Sequence, residues 1–232
     1  ELNRLNMFSD SKGRQQPFKI DHDKVEQIKL SAADIGIITP LIVRKYEGDY
    51  QIISGHHRVI AAKELNILSI PCVVRSLDDE EAYKFVIESN IQRMKMLPSE
   101  YSDIFQRYME KRKDIDMTAQ EIADKFGISK KSMYRYINLG KLIRELQEYA
   151  DSELLNIDSI DIICAFSENN QRSVSEFIRN NQKKVTIALA KKMAAIVKNY
   201  GKEKVPVWEF NSLLYKPKKS YKNKIYNNLA NR

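Results

Sequence analysis

The stretch ISGHHRVIAA brings together side chains that could bind a metal or a phosphate. His56 and His57 are adjacent, Arg58 follows them, and the strand-like run DYQII precedes them. A histidine metal site needs convergent ligands, but adjacent histidines in a turn point apart, and no cysteine or third histidine lies nearby in the sequence. A helix start after Ser54 and Gly55 suits an anion better, because its backbone N–H groups and dipole favour negative charge. Arg58 could bind phosphate through two N–H groups; the alternative is a local ion pair.

A second segment, IESNIQRMKMLPSEY, carries polar side chains at the predicted end of one helix and just before the next. Asn90, Gln92 and Arg93 lie in it. The amide oxygen of Asn90 is of the type that Mg²⁺ accepts as a ligand when the ion also binds phosphates.

The segment TAQEIADKFGISKKSMYRYINLGKL, which begins at Thr118, has the spacing of a helix-turn-helix. Ala123 lies four residues before Gly127; a small residue is needed where the two helices pack closely, and glycine accepts the left-handed geometry of the turn. The second helix would present cationic and hydrogen-bonding side chains that can contact phosphates and base edges. The predicted DNA-binding residues are Thr118, Ser129, Lys130, Lys131, Ser132, Tyr134 and Arg135. The alternative is a purely structural helical hairpin.

Two kinds of segment must position these side chains. Residues 36–75 follow the order strand, strand, helix, strand, with a hairpin signal at Glu47-Gly48-Asp49 and a short buried strand at 70–75. From Leu77 onward the patterns are helical. The predicted fold is therefore α+β, with a small mixed α/β domain followed by an all-α domain. The predicted divisions are a flexible segment 1–14, the α/β domain 15–97, a helical DNA-binding domain 98–199 with the helix pair at 118–139, and a basic segment 200–232.

The net charge of +8 is unevenly distributed along the chain. The last fifty residues carry thirteen Lys and Arg and only two acids, whereas residues 1–182 carry 26 basic and 29 acidic side chains. The basic excess is either a solvated tail or an electrostatic footprint for nucleic acid. Cys72 and Cys164 stand alone in apolar surroundings, which predicts reduced core thiols in a cytosolic protein. No apolar run approaches the roughly 20 residues of a membrane span.

Three segments together resemble the ParB/sulfiredoxin-like superfamily, and specifically ParB-type partition proteins: GHHRVIAA, SNIQRMKMLPSE and TAQEIADKFGISKKSMYRYI. They occur in the order of that family, and the flanking QQPFKI is also similar to it. The resemblance covers about residues 15–145. We call the first two of these segments the first and second box. The resemblance implies that CTP and Mg²⁺ bind to the first box and to the Asn of the second. It also implies that the helix-turn-helix recognises a parS-like centromere site and that the closed dimer then slides onto neighbouring, nonspecific DNA. The implied nucleotide-binding residues are Ser54, Gly55, His56, His57, Arg58, Asn90, Gln92 and Arg93, with Asn90 also facing Mg²⁺.

The chain departs from the family pattern at three positions. His56 stands where the family usually has Glu, and His57 where it has the first Arg of the box. Ser89 stands where the second box usually has the Glu tied to CTP hydrolysis. The resemblance therefore implies nucleotide binding with at most a weak CTPase, and no catalytic residue is assigned. The sulfiredoxin branch has its nucleophilic cysteine at the position of His56, so sulfiredoxin chemistry is excluded.

The resemblance leaves three functions open. The first is a CTP-dependent DNA clamp for partition of a plasmid, mobile element or chromosome, with a ParA-type ATPase as partner, acting as a homodimer in the cytoplasm. The second is a ParB-like transcriptional regulator or nucleoid-occlusion-like factor. The third is a small-metabolite kinase that uses the same nucleotide pocket, which the helix-turn-helix disfavours.

Overall fold

The computed structural model describes residues 1–10, 12–13, 15–91, 96–112, 116–201 and 203–214. The chain divides into two compact units, Glu1–Tyr108 and Met109–Arg232. The first unit contains a four-stranded sheet with helices, and the described part of the second is built from helices and their connections. The fold is α+β, as the sequence predicts.

The sheet of the first unit has the strand order β1-β3-β2-β4. Its strands are β1 (Leu5–Asn6), β2 (Leu41–Tyr46), β3 (Asp49–Ser54) and β4 (Cys72–Arg75). Strands β2 and β3 form the predicted antiparallel hairpin, while β1 pairs with β3 and β4 with β2 in parallel. Glu47 and Gly48 both have positive φ, 51° and 88°, which matches the twist of a two-residue hairpin turn.

Four helices accompany this sheet: α1 (His22–Ile35), α2 (His56–Glu64), α3 (Asp79–Ile91) and α4 (Pro98–Lys111). Helix α1 packs on α2, and Lys29 of α1 pairs with Glu64 of α2 at 2.8 Å. The sheet buries an aliphatic cluster against α2, which stabilises the unit because it removes apolar surface from water. The buried members of the cluster are Leu5, Leu41, Val43, Ile52, Val59, Ala62 and Ile70.

The first residues of the chain are more ordered than the sequence predicts. Leu5 and Asn6 form the edge strand β1, and Phe8 is fully buried. Asp10 is also buried and pairs with Arg107 of α4 at 2.8 Å. Removing an aromatic ring and an ion pair from water requires that the segment be held in place, so the described part of 1–14 is not a flexible entry.

Two further expectations differ from the structure. The boundary between the units falls after Tyr108, within α4, rather than at residue 97. Strand β4 lies at the edge of the sheet with all four side chains exposed, whereas its apolar composition predicts burial. Cys72 is exposed with it, and Cys164 is half-buried, so neither is a core thiol; both are free.

The second unit contains seven helices among its described residues: α5 (Ala119–Lys125), α6 (Lys130–Leu139), α7 (Arg144–Asp151), α8 (Ile160–Ile163), α9 (Glu168–Asn181), α10 (Ile187–Tyr200) and α11 (Val207–Ser212). A 3-10 turn, Ile157–Ser159, precedes α8. One hydrophobic cluster joins α6 to α11 and includes Leu139, Phe177, Met193 and Phe210. None of the helices in the described ranges is long and apolar enough to span a membrane.

Candidate functional site

The junction between β3 and α2 depends on the backbone of Gly55, which is left-handed with a φ of 109°. A Cβ atom here would lie 2.5 Å from Cδ2 of Leu41 and 3.1 Å from a guanidinium nitrogen of Arg58. The missing side chain therefore allows the chain to pass from the sheet directly into α2 while Leu41 fills the core. The first residue of α2 is His56.

This junction forms one wall of a small pocket in the first unit. The second wall is the segment that precedes α1, and the third is α3. The lining residues are Gln16, Phe18, Lys19, Ile20, Ser54, Gly55, His56, His57 and Asn90. The pocket thus brings together Ser54, three residues of the first predicted box and one of the second, and its cavity volume is about 50 Å³.

The two adjacent histidines have different surroundings and are not arranged as two ligands of one metal ion. His56 is buried, with 8% of its surface exposed. The backbone N–H of Asp21 donates to Nε2 of His57 at 2.9 Å, so this nitrogen carries no proton in the present arrangement. The Asp21 carboxylate caps α1 by accepting from the N–H of Lys24, and this bond lowers the pKa of Asp21. No group of three or more His, Cys, Asp or Glu that could hold a metal occurs among the described residues.

Arg58 lies next to the pocket but is not among its lining residues. Its guanidinium donates from Nη1 to the carbonyl oxygens of Thr39 and Pro40, at 2.9 and 2.7 Å. Burial lowers the pKa of Arg58 from its usual value, because desolvation disfavours the charge. The residue therefore ties α2 to the loop before β2, and a contact of its guanidinium with phosphate stays a prediction.

Asn90 is the one described residue of the second box that faces the pocket. Its amide nitrogen donates to the carbonyl of Val86 at 2.8 Å and to the hydroxyl of Ser89 at 3.2 Å. These two bonds orient the amide and leave its oxygen to accept a donor or a cation. Ser89 itself donates to Val86 and does not line the pocket. Gln92 and Arg93 lie outside the described residues.

The wall that precedes α1 contains pocket residues that the sequence prediction missed. Gln16 brackets Phe18 with its amide, accepting from the Phe18 N–H at 2.9 Å and donating to the Phe18 carbonyl. The buried carboxylate of Glu100 accepts from the N–H groups of Lys19 and Leu97, at 2.8 and 2.9 Å. Glu100 thus joins the pocket wall to the start of α4. The similarity of QQPFKI to the family was a signal for this wall, whereas nothing local connects Glu100 with a residue 81 positions earlier.

In the second unit, α5 and α6 form the helix pair that the sequence predicts at 118–139. Thr118 caps α5 in a capping box with Glu121, and the Thr118 N–H lowers the pKa of Glu121. Gly127 has a φ of 65°, and the N–H of Ile128 returns to the carbonyl of Ala123 at 3.1 Å. Ser129 caps α6 by accepting from the N–H of Ser132. The buried face of the pair includes Ile122, Ala123 and Met133.

The predicted DNA-binding residues divide into three groups. Lys130, Lys131 and Tyr134 are exposed on α6. The hydroxyl groups of Thr118, Ser129 and Ser132 take part in the helix caps and remain at the surface of the pair. Arg135 forms the third group by itself.

Arg135 occupies a different position from the one predicted. Its Nε donates to Asp161 of α8 at 3.0 Å, and its Nη1 pairs with Asp158 of the 3-10 turn. The side chain is only 17% exposed. Asn138 also donates to Asp161, so the last turns of α6 are fixed to α8 by a small polar network. Arg135 therefore stabilises the unit instead of standing free on the outer face of α6.

Residues 1–91 match the family model described as the ParB N-terminal domain. Over these residues the chain is similar to the ParB/sulfiredoxin-like superfamily. This assignment agrees with the geometry of the first unit, in which both boxes of the ParB N-terminal domain reach one pocket.

Curated relatives of this ParB-like chain carry two kinds of name. The "Probable chromosome-partitioning protein ParB" of Coxiella burnetii is 30% identical over 179 residues, which are 77% of this chain and 61% of that protein. The "Nucleoid occlusion protein" of Listeria innocua is 27% identical over 163 residues, 69% of this chain and 56% of that protein. The chain spans somewhat more than half the length of these two relatives.

Solved structures of a C-terminally truncated ParB from Caulobacter crescentus also resemble the chain. The complex with the centromeric parS site is 23% identical, covers 85% of this chain and 97% of that one, and has a TM-score of 0.49. The complex with CTP-gamma-S is 25% identical, covers 83% and 95%, and has a TM-score of 0.34.

We expect Gly55→Ala to destabilise the ParB N-terminal domain by about 2–4 kcal/mol, because it adds left-handed strain of about 1 kcal/mol to an overpacking cost of about 1–3 kcal/mol against Leu41. Urea unfolding followed by circular dichroism measures the change. The matched control is Gly48→Ala in the β2–β3 turn, since Gly48 also has a positive φ, 88°, but no atom lies within 4 Å of the place that an added Cβ would take. An equal decrease in the free energy of unfolding in the two variants would show that the contact with Leu41 does not affect stability.

We expect Arg135→Ala to lower the free energy of unfolding by about 1 kcal/mol, because it removes the guanidinium that joins α6 to two carboxylates that are themselves about half exposed. Lys131→Ala removes a neighbouring exposed cation of the same helix and should change stability by less than about 0.5 kcal/mol. The same urea titration compares them. If Arg135→Ala were as stable as the parent chain, the network with Asp158 and Asp161 would be a surface contact of no consequence.

Proposed function

We propose that this chain is a ParB-type protein that binds DNA and a nucleoside triphosphate. The observation that carries the proposal is the meeting of two sequence-distant boxes at one pocket: Gly55 and His57 at the β3–α2 junction, and Asn90 on α3. If either box had a purely structural role, the other box would not have to line the same pocket. The match of residues 1–91 to the ParB N-terminal domain supports the same function.

The chemistry of the pocket favours an anionic ligand. The described lining includes Lys19, the polar side chains of Gln16 and Ser54, and the N-terminal end of α2, and it contains no carboxylate. Backbone N–H groups at a helix start attract phosphate. The family resemblance makes CTP the proposed nucleotide. Because Ser89 stands where the family usually has the Glu tied to CTP hydrolysis, the proposal concerns binding of the nucleotide and not its hydrolysis.

The pocket must open before a nucleotide enters it. Its cavity of about 50 Å³ is far smaller than the roughly 300–1,000 Å³ of typical ligand sites. The segment with Gln16 and Phe18 is the wall that has no helix or strand of its own, so we propose that this wall moves. Glu100 would transmit the movement to the start of α4, since it is bonded to the backbone of Lys19.

Asn90 is the residue of this pocket that would hold Mg²⁺ together with the phosphates. Its amide oxygen is an acceptable ligand, and Mg²⁺ usually retains several waters when few protein oxygens are present. The ion, when bound, would neutralise phosphate charge. The orientation of the amide by Val86 supports the assignment, because it keeps the oxygen away from the helix backbone.

The DNA-binding part of the proposal uses α5 and α6 as a helix-turn-helix. The exposed Lys130, Lys131 and Tyr134 are suited to phosphates and base edges in a major groove, and the caps at Thr118 and Ser129 keep both helices well defined at that surface. A parS-like site, a homodimeric clamp and a ParA-type ATPase partner belong to the same proposal and rest on the family resemblance.

A second candidate function is nucleoid occlusion or gene control with the same two sites. It is favoured by the name of the Listeria innocua relative. Both candidates need nucleotide and DNA binding, and they differ in whether the bound DNA is segregated. A metabolite kinase of the same superfamily would not need the α5–α6 pair.

We expect radiolabelled CTP to bind saturably in the presence of Mg²⁺, and Asn90→Ala to weaken binding by at least about tenfold, since the loss of a metal-linked oxygen costs about 1.4 kcal/mol or more. ATP and GTP, titrated in parallel, report the base preference. Lys84→Ala is the control on an exposed position of the same helix, and it should retain the affinity because Lys84 does not line the pocket. Absence of saturable binding for all three nucleotides would remove the nucleotide from the proposal and leave the DNA site.

We expect the double variant Lys130→Ala/Lys131→Ala to weaken binding to a parS-like duplex by at least about tenfold and to lower its preference over a scrambled duplex, because phosphate and base contacts of α6 are lost. Fluorescence anisotropy measures both affinities. Lys45→Ala/Lys84→Ala removes two exposed lysines of the first unit and serves as the charge-matched control. A double variant of α6 with unchanged preference would place sequence recognition elsewhere in the chain.

A further inference from the structure

The segment from Lys183 to Gly201 is strongly and uniformly basic. It contains five lysines and no acidic residue, although the chain as a whole has 31 acids. We call the side chains Lys183, Lys184, Lys191, Lys192 and Lys198 the basic face. Two of them precede α10, and three lie on it. The unit therefore concentrates positive charge on one helix and its entry.

The lysines of the basic face are available for an external partner. All five are exposed, and no ion pair joins any of them to another residue in the described part of the chain. Lys191 and Lys198 are seven residues apart, so they lie on one side of α10 about 10 Å from each other. Between them on this side lies the exposed Ala195, and Ala188 precedes them. Small side chains between lysines let an extended anionic surface approach the helix closely.

The basic face is connected to α6 within the same unit. Val185, directly after Lys184, accepts from the N–H of Asn156 at 3.0 Å and donates to the carbonyl of Leu154 at 2.8 Å. Asn156 caps the 3-10 turn that contains Asp158, the partner of Arg135 on α6. The entry of α10 is thus fixed, through one short bridge, to the segment that holds the last turns of α6.

The packing of α10 distinguishes DNA from a membrane surface as the partner. A helix that lies in a bilayer interface inserts an apolar face. In α10 this face is already used, because Ala190 and Met193 are buried and Ile196 and Val197 pack against the core cluster of the unit. The exposed side chains of α10 are lysines, alanines and Asn199, with Ile187 39% exposed at the start of the helix. Such a surface can bind a polyanion, but it presents few apolar side chains for insertion into a bilayer.

We propose that the basic face binds the phosphate backbone of duplex DNA without reading its sequence. This inference rests on the proposed DNA-binding function and deepens it: α6 would recognise a site, and the basic face would add affinity for any duplex. Duplex DNA carries one negative charge per about 1.7 Å of its axis, so lysines spread over about 10 Å can each lie next to a phosphate.

The test is the salt dependence of binding to a random-sequence duplex of about 25 base pairs. We compare the parent 232-residue chain with Lys184→Gln/Lys191→Gln/Lys198→Gln, which preserves helix propensity on α10. The slope of log K against log salt between about 50 and 200 mM should become shallower by about 2–3 in the triple variant, since each lost phosphate contact contributes about 0.9. Circular dichroism confirms that both proteins are folded to the same extent.

The control is Lys45→Gln/Lys63→Gln/Lys84→Gln, which removes the same charge from exposed positions of the first unit and should leave the slope unchanged. A similar loss in both triple variants would overturn the basic face as a specific surface, because net charge alone would then explain the effect. An unchanged slope in the α10 variant would also overturn it.

Three further outcomes separate this inference from the function on which it rests. If the parent chain binds no duplex at about 50 mM salt, the proposed function fails and the inference with it. If the α10 variant retains the parent's slope on DNA but loses binding to vesicles that contain an anionic phospholipid, the basic face is a membrane surface and the inference alone is overturned. If the Lys130→Ala/Lys131→Ala variant loses its preference for a parS-like duplex but keeps the parent's slope on random duplex, the division of labour between α6 and α10 is supported.

Discussion

Cδ2 of Leu41 occupies the space that a side chain at residue 55 would need, and this contact is the constraint on which the pocket depends. It requires glycine at the end of β3, fixes the left-handed turn and starts α2 one residue later. Ser54, His56 and His57 reach the pocket because of where that helix begins. The fully buried Leu41 belongs to the aliphatic core, so core packing and the position of polar side chains are consequences of one arrangement.

Around this turn, long-range polar contacts hold the remaining walls. His57 accepts from the backbone at the start of α1, Arg58 donates to the loop before β2, and Glu100 joins the wall before α1 to the start of α4. Each contact satisfies backbone groups that no strand or helix pairs, which buried backbone requires. A ligand that displaced one wall would disturb several of these bonds together, so the pocket is coupled to its surroundings by ordinary hydrogen bonding.

How much of the molecule could be predicted from the sequence depended on whether a residue's environment was local. The β2–β3 hairpin follows from Gly48, because glycine accepts the positive φ that the turn requires. The caps at Thr118 and Ser129 and the turn at Gly127 follow in the same way from neighbours within a few residues. The ordered conformation of residues 1–10 could not be predicted in this way, because Phe8 and Asp10 are buried by residues far along the chain.

The amino-acid sequence by itself determined the α+β class, the helix pair and the boxes that contain Gly55 and Asn90, since residue periodicity, glycine geometry and capping act over short distances. Only the tertiary structure decided which acceptors the arginines of these segments meet. Arg58 and Arg135 have the side chains that suit phosphate, yet carbonyl oxygens hold one and two carboxylates hold the other. A guanidinium binds whichever acceptor the fold brings within about 3 Å, and that acceptor is 18 to 26 residues away in these two cases, beyond the reach of any local pattern.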